Sequence, residues 1–467
     1  MPTAKSLSPR DRAAGVLWGL TLVMLPWIGA DLIILTTGRD AGAGLQPSWL
    51  FMALTWLVSG PGNLWNDLPR SWRWGLGAAV VAVLMSAGGL WLAPAEVGAA
   101  AAWSRYLRQV VQMTVMAAFT LWPVVHLRGP SAWRSTARWL VAGALLQAAY
   151  GLLQQVGYHR SSMLLADLER IFTSNPSILS GSAELYVGNR FLEIPRLRGT
   201  ACEPLYLGNY LLLALPVVAL TGWSAFARRA ATGALSLLLL LTWSRGAWLG
   251  AVGGVVVAAW WAAPTLAGAV RRRKRRLGLI LGGAAALVLV TAAIAGWEPV
   301  LLPARRLAQT FSVNDWSNLT RLYSMQAAWR AFTLSPVVGI GWGQFGWHFP
   351  ALVDPAGLQA MFTWPVVANF PLLVLCETGL LGFAALMFGA GGLVRAVWRR
   401  RAAVPEPGEG DRWSWVAAGA LSAAGAAIAV QTMTFAQYNL PHAWVALGLL
   451  MAALLEARAG IREWGGR

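Results

Sequence analysis

Residues 246–296 read GAWLGAVGGVVVAAWWAAPTLAGAVRRRKRRLGLILGGAAALVLVTAAIAG. Two apolar runs, 246–264 and 277–296, flank an unbroken basic block, Arg271-Arg272-Arg273-Lys274-Arg275-Arg276. A helix rises about 1.5 Å per residue and the hydrocarbon layer is about 30 Å thick, so about twenty apolar residues cross it. Lys and Arg collect in the short loops on the cytoplasmic side. The stretch therefore predicts two transmembrane helices joined by a cytoplasmic loop.

The same pattern extends in both directions. Apolar runs at 13–36, 48–59, 75–97, 105–125, 136–156, 204–222 and 230–244 precede it, and 366–394, 413–433 and 441–457 follow. The expectation is one all-α integral membrane domain over 1–467 with about twelve transmembrane helices. The run at 48–59 is the shortest. Ser244 and Arg245 alone divide 230–244 from 246–264, which predicts a tight helical hairpin. With Lys5, Arg10 and Arg12 cytoplasmic, every second loop should be cytoplasmic too. Those loops carry Arg70 and Arg73, Arg128 and Arg134, Arg228 and Arg229, the block at 271–276, Arg399-Arg400-Arg401, and Arg458 and Arg462. Both termini are then cytoplasmic. The loop 402–412, with Pro405 and Pro407, reads as a linker.

Composition supports this class. Only 12% of the residues are charged and 57% are hydrophobic, where a soluble domain carries about a quarter charged. A net charge of +18 would elsewhere suggest nucleic acid, but topology accounts for it here and no nucleic-acid partner is expected. Cys202 and Cys376 have no metal-ligand spacing, so neither metal nor cofactor is expected. The first apolar run is long and has no small-residue cleavage site, unlike a cleaved signal peptide.

This topology leaves two long segments outside, 157–203 and 297–365. The second contains helix-like sequence from Leu319 to Phe332 and a Gly-rich turn, Gly339-Ile-Gly-Trp-Gly-Gln-Phe-Gly346. Outward-facing arginines run against the charge bias: Arg105, Arg108, Arg196, Arg198, Arg245, Arg305, Arg306, Arg321 and Arg330. Charge at the membrane edge is costly and usually faces a cavity. Guanidinium forks suit phosphate, so arginines from separate helices at one depth would form a pyrophosphate site. The bland alternative is snorkelling to lipid headgroups, and it weighs less for Arg245, which is pinned between two helices.

Three stretches carry a resemblance. They are Arg198-Gly-Thr-Ala-Cys-Glu-Pro-Leu-Tyr-Leu-Gly-Asn-Tyr210, Leu241-Thr-Trp-Ser-Arg-Gly-Ala-Trp248, and the segment from Thr320-Arg-Leu through Pro336-Val-Val-Gly-Ile-Gly-Trp-Gly-Gln-Phe345 to Asn369-Phe-Pro-Leu-Leu-Val-Leu-Cys-Glu-Thr-Gly-Leu-Leu-Gly382. In this order the chain resembles the O-antigen polymerase and O-antigen ligase superfamily of bacterial envelope glycosyltransferases. The resemblance implies a GT-C-like fold in the inner membrane with its active site facing the periplasm. It implies transfer of an undecaprenyl pyrophosphate-linked glycan to a sugar hydroxyl of an acceptor glycan or glycolipid, without metal or nucleotide sugar. Membrane lipids and a chain-length regulator are the other partners implied. The family's two essential arginines map onto Arg245 and Arg321, whose fixed charge would stabilise the departing pyrophosphate.

A base, or an orienting group, should stand near the acceptor hydroxyl. Family ligases commonly carry His-Asn before the Glu-Thr-Gly helix, whereas this chain has Ala368-Asn369. The role passes either to His348 or to Glu203. Glu203-Pro204 resembles the polymerase branch, which favours polymerase over ligase. Substrate-binding candidates are Arg196, Arg198, Arg105, Arg108, Asn369, Tyr438 and His442. His348, between Trp347 and Phe349, reads equally as an aromatic-belt residue, and His442 as a helix-start residue. Glu377 reads as a structural hydrogen-bonding group, and Asp31 as an arginine partner or an interfacial residue. One or two of Trp316, Trp342, Trp347 and Trp364 are candidates for a sugar platform; most of the 28 tryptophans read as interface anchors. A transporter should show repeats and ionisable groups at mid-membrane, and a flippase a charged central cavity. Neither pattern is present.

Overall fold

The computed structural model describes residues 8–38, 45–62, 68–159, 163–173, 186–189, 192–201, 203–266, 297–312, 316–353, 366–404, 412–436 and 438–464. In chain order the helices are α1 (Pro9–Val23), α2 (Leu32–Thr37), α3 (Pro47–Ser59), α4 (Arg70–Met85), α5 (Ala99–His126), α6 (Gly129–His159) and α7 (Met163–Phe172). A hairpin of β1 (Tyr186–Asn189) and β2 (Leu192–Pro195) follows, antiparallel, with Val187 opposite Ile194. Then come α8 (Pro204–Val217), α9 (Ala225–Leu241), α10 (Arg245–Leu266), α11 (Trp297–Ala308), α12 (Trp316–Leu334), α13 (Phe345–Val353), α14 (Phe370–Ala402), α15 (Arg412–Thr432) and α16 (Pro441–Trp464).

Among the described residues, four helices are long and apolar enough to cross a membrane: Arg70–Leu92, Arg245–Thr265, Phe370–Ala402 and Arg412–Thr432. Pro47–Ser59, Pro204–Leu220 and Pro441–Glu456 are shorter apolar helices. The expected run at 277–296 and the basic block 271–276 lie outside the described residues, as do Cys202 and the side chains of Trp316 and Trp364. Every other apolar run overlaps helix, although 75–97 passes out of the α-helix after Met85 and ends in a turn, and one run is corrected. The run 13–36 is two helices, because Trp27 N–H already closes a turn onto Met24 and Asp31 starts a new helix. Asp31 caps that helix by accepting from Ile33 N at 2.9 Å.

α10 packs tightly along α15, and the sequence explains why. Gly246, Gly250 and Gly254 recur every fourth residue on one face of α10. A Cβ added at Gly250 would meet the Ala427 carbonyl at 2.6 Å, and one at Gly254 the Ala423 carbonyl at 3.0 Å. Small residues at this spacing let helix backbones touch, which is how helices associate in lipid where the hydrophobic effect gives no preference. α8 lies against both and is buried along nearly its whole length. The main core joins these helices to α1, α6 and α16. A second, smaller core holds α12, α13 and the start of α14 around Phe345, Phe349 and Leu373.

Candidate functional site

Arg245 opens α10 after the three-residue turn Thr242-Trp243-Ser244. Trp243 takes a left-handed conformation with φ 50°, and the Ser244 hydroxyl accepts from Ala247 N at 3.4 Å as a helix-start residue does. Trp248 Nε1 donates back to the Leu239 carbonyl at 3.1 Å, so the hairpin expected from sequence is fixed at both sides of the turn. Arg245 is buried, with 5% of its surface exposed.

The segment before α8 runs alongside this turn. Leu197 N donates to Leu241 O at 3.0 Å, and Arg196 Nε to Thr242 O at 3.3 Å. Arg198 is buried in an ion pair with Glu169 of α7. Two glutamines of α6, seven residues apart and so on one face, clamp the next turn. Gln154 exchanges hydrogen bonds with Gly199 N and O, at 3.0 and 2.9 Å. Gln147 Oε1 accepts from Thr200 N at 2.8 Å. Sequence reasoning missed both residues, although two glutamines inside an apolar helix were the signal. Glu203, at the start of α8, reaches solvent from a recess. Crowding by protein pushes its carboxyl above the ordinary carboxylate range, while Arg196 pulls the other way.

Arg321 lies on α12, half-buried, with Nη1 3.5 Å from Asn318 Oδ1. One turn further, the Ser324 hydroxyl accepts from Ala368 N at 3.2 Å. Asn369 caps α14 by accepting from Leu372 N at 3.0 Å, and its amide donates to Met433 O at 3.4 Å. Ala436 N donates to Val367 O at 3.3 Å. A Cβ on Gly246 would meet the Thr434 hydroxyl at 2.6 Å. The residues next to Arg245 and those one turn from Arg321 are thus tied to the same short segment, 433–436.

A third group surrounds the Gly-rich turn. Glu377 accepts from Gly343 N at 2.8 Å with one oxygen and from Phe345 N at 3.0 Å with the other, capping α13. That is the structural hydrogen-bonding role expected of it. The backbone pairs as well: Ile340 N with Cys376 O and Gly341 N with Glu377 O, both at 3.0 Å, and Leu380 N with Pro336 O at 2.8 Å. Gly379, at φ 64° and ψ −164°, breaks α14 there, and a Cβ on it would run into the Val337 carbonyl. Arg105 Nε donates to Gly343 O at 2.6 Å from the opposite side. Tyr438 donates to Gln109 Oε1 at 3.0 Å and packs edge-on to Trp342 with centroids 5.0 Å apart. Arg108, one turn along α5 from Arg105, is exposed.

Both histidine candidates are buried. His348, on α13, is 4% exposed, and burial pushes it down to about 4. His442, second residue of α16, packs on the Tyr210 ring with centroids 6.4 Å apart. Among the described residues neither His442 ring nitrogen, nor Nε2 of His348, has a hydrogen-bond partner. Trp342 is buried, with the aromatic packing described above, and Trp347 is half-buried. No group of three His, Cys, Asp or Glu side chains that could hold a metal occurs among the described residues.

The described part of the chain is therefore a largely helical protein with apolar helices of membrane-crossing length, a buried arginine at a helix start, Arg245, and a second, Arg198, buried in an ion pair. Residues 230–387, roughly a third of the chain, match the family described as O-antigen ligase, which supports the O-antigen ligase and polymerase superfamily and a membrane enzyme of that type. The matched range includes Arg245, Arg321, His348 and Asn369; Glu203, Arg196, Arg198, Tyr438 and His442 lie beyond it. No curated protein matches the chain.

Proposed function

We propose that the protein is a metal-independent glycosyltransferase that moves an undecaprenyl pyrophosphate-linked glycan onto a sugar hydroxyl, as an O-antigen or exopolysaccharide polymerase. The observation that carries the reading is the placement of Arg245: buried, at a helix start, within the matched family range, and tied through segment 433–436 to the neighbourhood of Arg321. Paired guanidinium groups would hold the pyrophosphate and stabilise the charge it gains as the bond to the anomeric carbon breaks. The acceptor oxygen forms the new bond and gives its proton to a base. Glu203 suits that part better than His348. It opens onto solvent beside Arg196 with a raised carboxyl, whereas His348 is enclosed.

In this reading about twelve helices cross the inner membrane in a GT-C-like arrangement, with both termini cytoplasmic and the site facing the periplasm. The loop charges of the sequence support it. Membrane lipids surround the protein, and a chain-length regulator would act on the product. Arg196, Arg198, Arg105, Arg108, Asn369, Tyr438 and His442 are assigned to substrate binding, directly or by positioning. Ligase activity toward a lipid A core is the second reading, favoured by the family description.

The test is a reconstituted assay with lipid-linked glycan and both acceptors present. Arg245→Ala and Arg321→Ala should each lower transfer by about 100-fold or more with membrane insertion intact. Lengthened lipid-linked glycan supports polymerase, and glycosylated lipid A core supports ligase. Full activity in both variants refutes the pyrophosphate site.

A further inference from the structure

At the far end of α6 from the glutamine clamp lies a cleft of about 470 Å³, lined by Ser131, Arg134, Ser135, Arg138, Trp139 and Trp223 together with Ala142. Arg134 is twenty residues from Gln154, about 30 Å along the helix, which is one hydrocarbon thickness. Where α6 crosses the membrane, as in the function proposed above, the cleft opens at the face opposite Arg198 and Arg245.

Its chemistry is specific. Ser131, Arg134, Ser135 and Arg138 occupy successive turns of one helix face, so their donors point into one space. Arg138 Nε is fixed by the Thr221 carbonyl at 2.9 Å, which orients its fork. The Arg134 stem lies against Gly222, whose φ of +69° bends the chain around it. Among the described residues no hydrogen bond or ion pair engages the Arg134 guanidinium. Glu456, at this end, is already engaged, accepting from Gly129 N at 2.8 Å. Apolar rings border the charge: Trp139 and Trp223 are half-buried, and Phe226 is 81% exposed in the first turn of α9. Exposed rings beside a cationic cleft belong where headgroups meet acyl chains, and basic pockets between membrane helices take anionic headgroups.

We propose that this cleft binds the phosphate of an anionic phospholipid, with Arg134 and Arg138 donating to its oxygens and the two serines completing the shell. The ligand is then a second lipid, at the face opposite the glycan donor. A phosphate group explains the paired forks, and the aromatic border selects a lipid over a free ion.

The experiment uses the full chain in detergent, with thermal midpoint read by tryptophan fluorescence against phosphatidylglycerol, phosphatidylcholine or inorganic phosphate. Phosphatidylglycerol should raise the midpoint and phosphatidylcholine should not. Arg134→Gln/Arg138→Gln should weaken the apparent phosphatidylglycerol affinity about tenfold or more. Arg228→Gln/Arg229→Gln, which removes the same charge beside the cleft, should leave it unchanged. Arg134→Gln alone serves if the double variant does not fold, since no partner among the described residues depends on it. Equal weakening in both double variants means a diffuse cationic field and overturns the site, as does an undiminished response in Arg134→Gln/Arg138→Gln or an equal response to phosphatidylcholine. A full response to inorganic phosphate overturns the lipid as ligand. Because the readout is lipid binding, its outcome is independent of glycan transfer.

Discussion

Replacing Glu377 by Gln isolates one atom's worth of chemistry in the Gly-rich turn. The carboxylate offers one oxygen to Gly343 N at 2.8 Å and the other to Phe345 N at 3.0 Å, and the residue is 2% exposed. A glutamine amide has one acceptor oxygen, and its NH2 would face the second N–H, donor against donor. One backbone N–H is then left buried without an acceptor, which costs about 1–3 kcal/mol, and the remaining bond loses about 1 kcal/mol by becoming neutral. The sum is roughly 2–4 kcal/mol, concentrated on a turn whose other side is held by Arg105 at Gly343 O. Two measurements read it. The thermal midpoint in detergent should fall by several degrees, and hydrogen exchange of peptides covering 339–350 should accelerate while those from α10 and α15 do not. An unchanged midpoint together with unchanged exchange over 339–350 would refute the capping role.

Gln147→Ala should release Thr200 N and Oγ1 from their shared acceptor and lower glycan transfer several-fold, measured beside Leu146→Ala as an exposed control. His348 is neutral in the folded chain, since burial lowers it to about 4 from an ordinary 6.5. Below pH 6.5 the unfolded chain takes up a proton that the folded chain refuses. Stability should therefore fall between pH 6.5 and 4, by up to about 3 kcal/mol, and His348→Gln should flatten that part of a denaturation profile. Arg401 donates to the Trp260 carbonyl at 2.9 Å and lies 4.2 Å from that ring's centre. Arg401→Ala should cost about 1–2 kcal/mol of stability and leave transfer per folded molecule unchanged.

The hydropathy runs at 48–59 and 136–156 were legible because burial in lipid or core demands uninterrupted apolar sequence, and each falls within a helix. The α9–α10 turn was legible because Ser244-Arg245 interrupts two such runs. The break at 24–31 was not, because apolar residues continue through it while the backbone leaves the helix. Nor were the glutamine clamp and the Glu377 cap. Their partners are backbone groups 53 and 45 residues away in one case and 34 and 32 in the other, and backbone groups carry no sequence label.

Sequence alone determined the class of protein and the identity of the arginines, because hydrophobic length and residue type are local quantities read residue by residue. The tertiary structure decided which of those arginines are buried and what buttresses them. Arg245 and Arg198 are buried, Arg108 is exposed, and Arg105 is spent on a backbone carbonyl. Arg198 is enclosed by its pair with Glu169 beside the glutamine clamp, and Arg105 meets a turn held by the docking of 336–341 against 376–381. Both are contacts between segments remote in the chain, fixed by close packing rather than by composition.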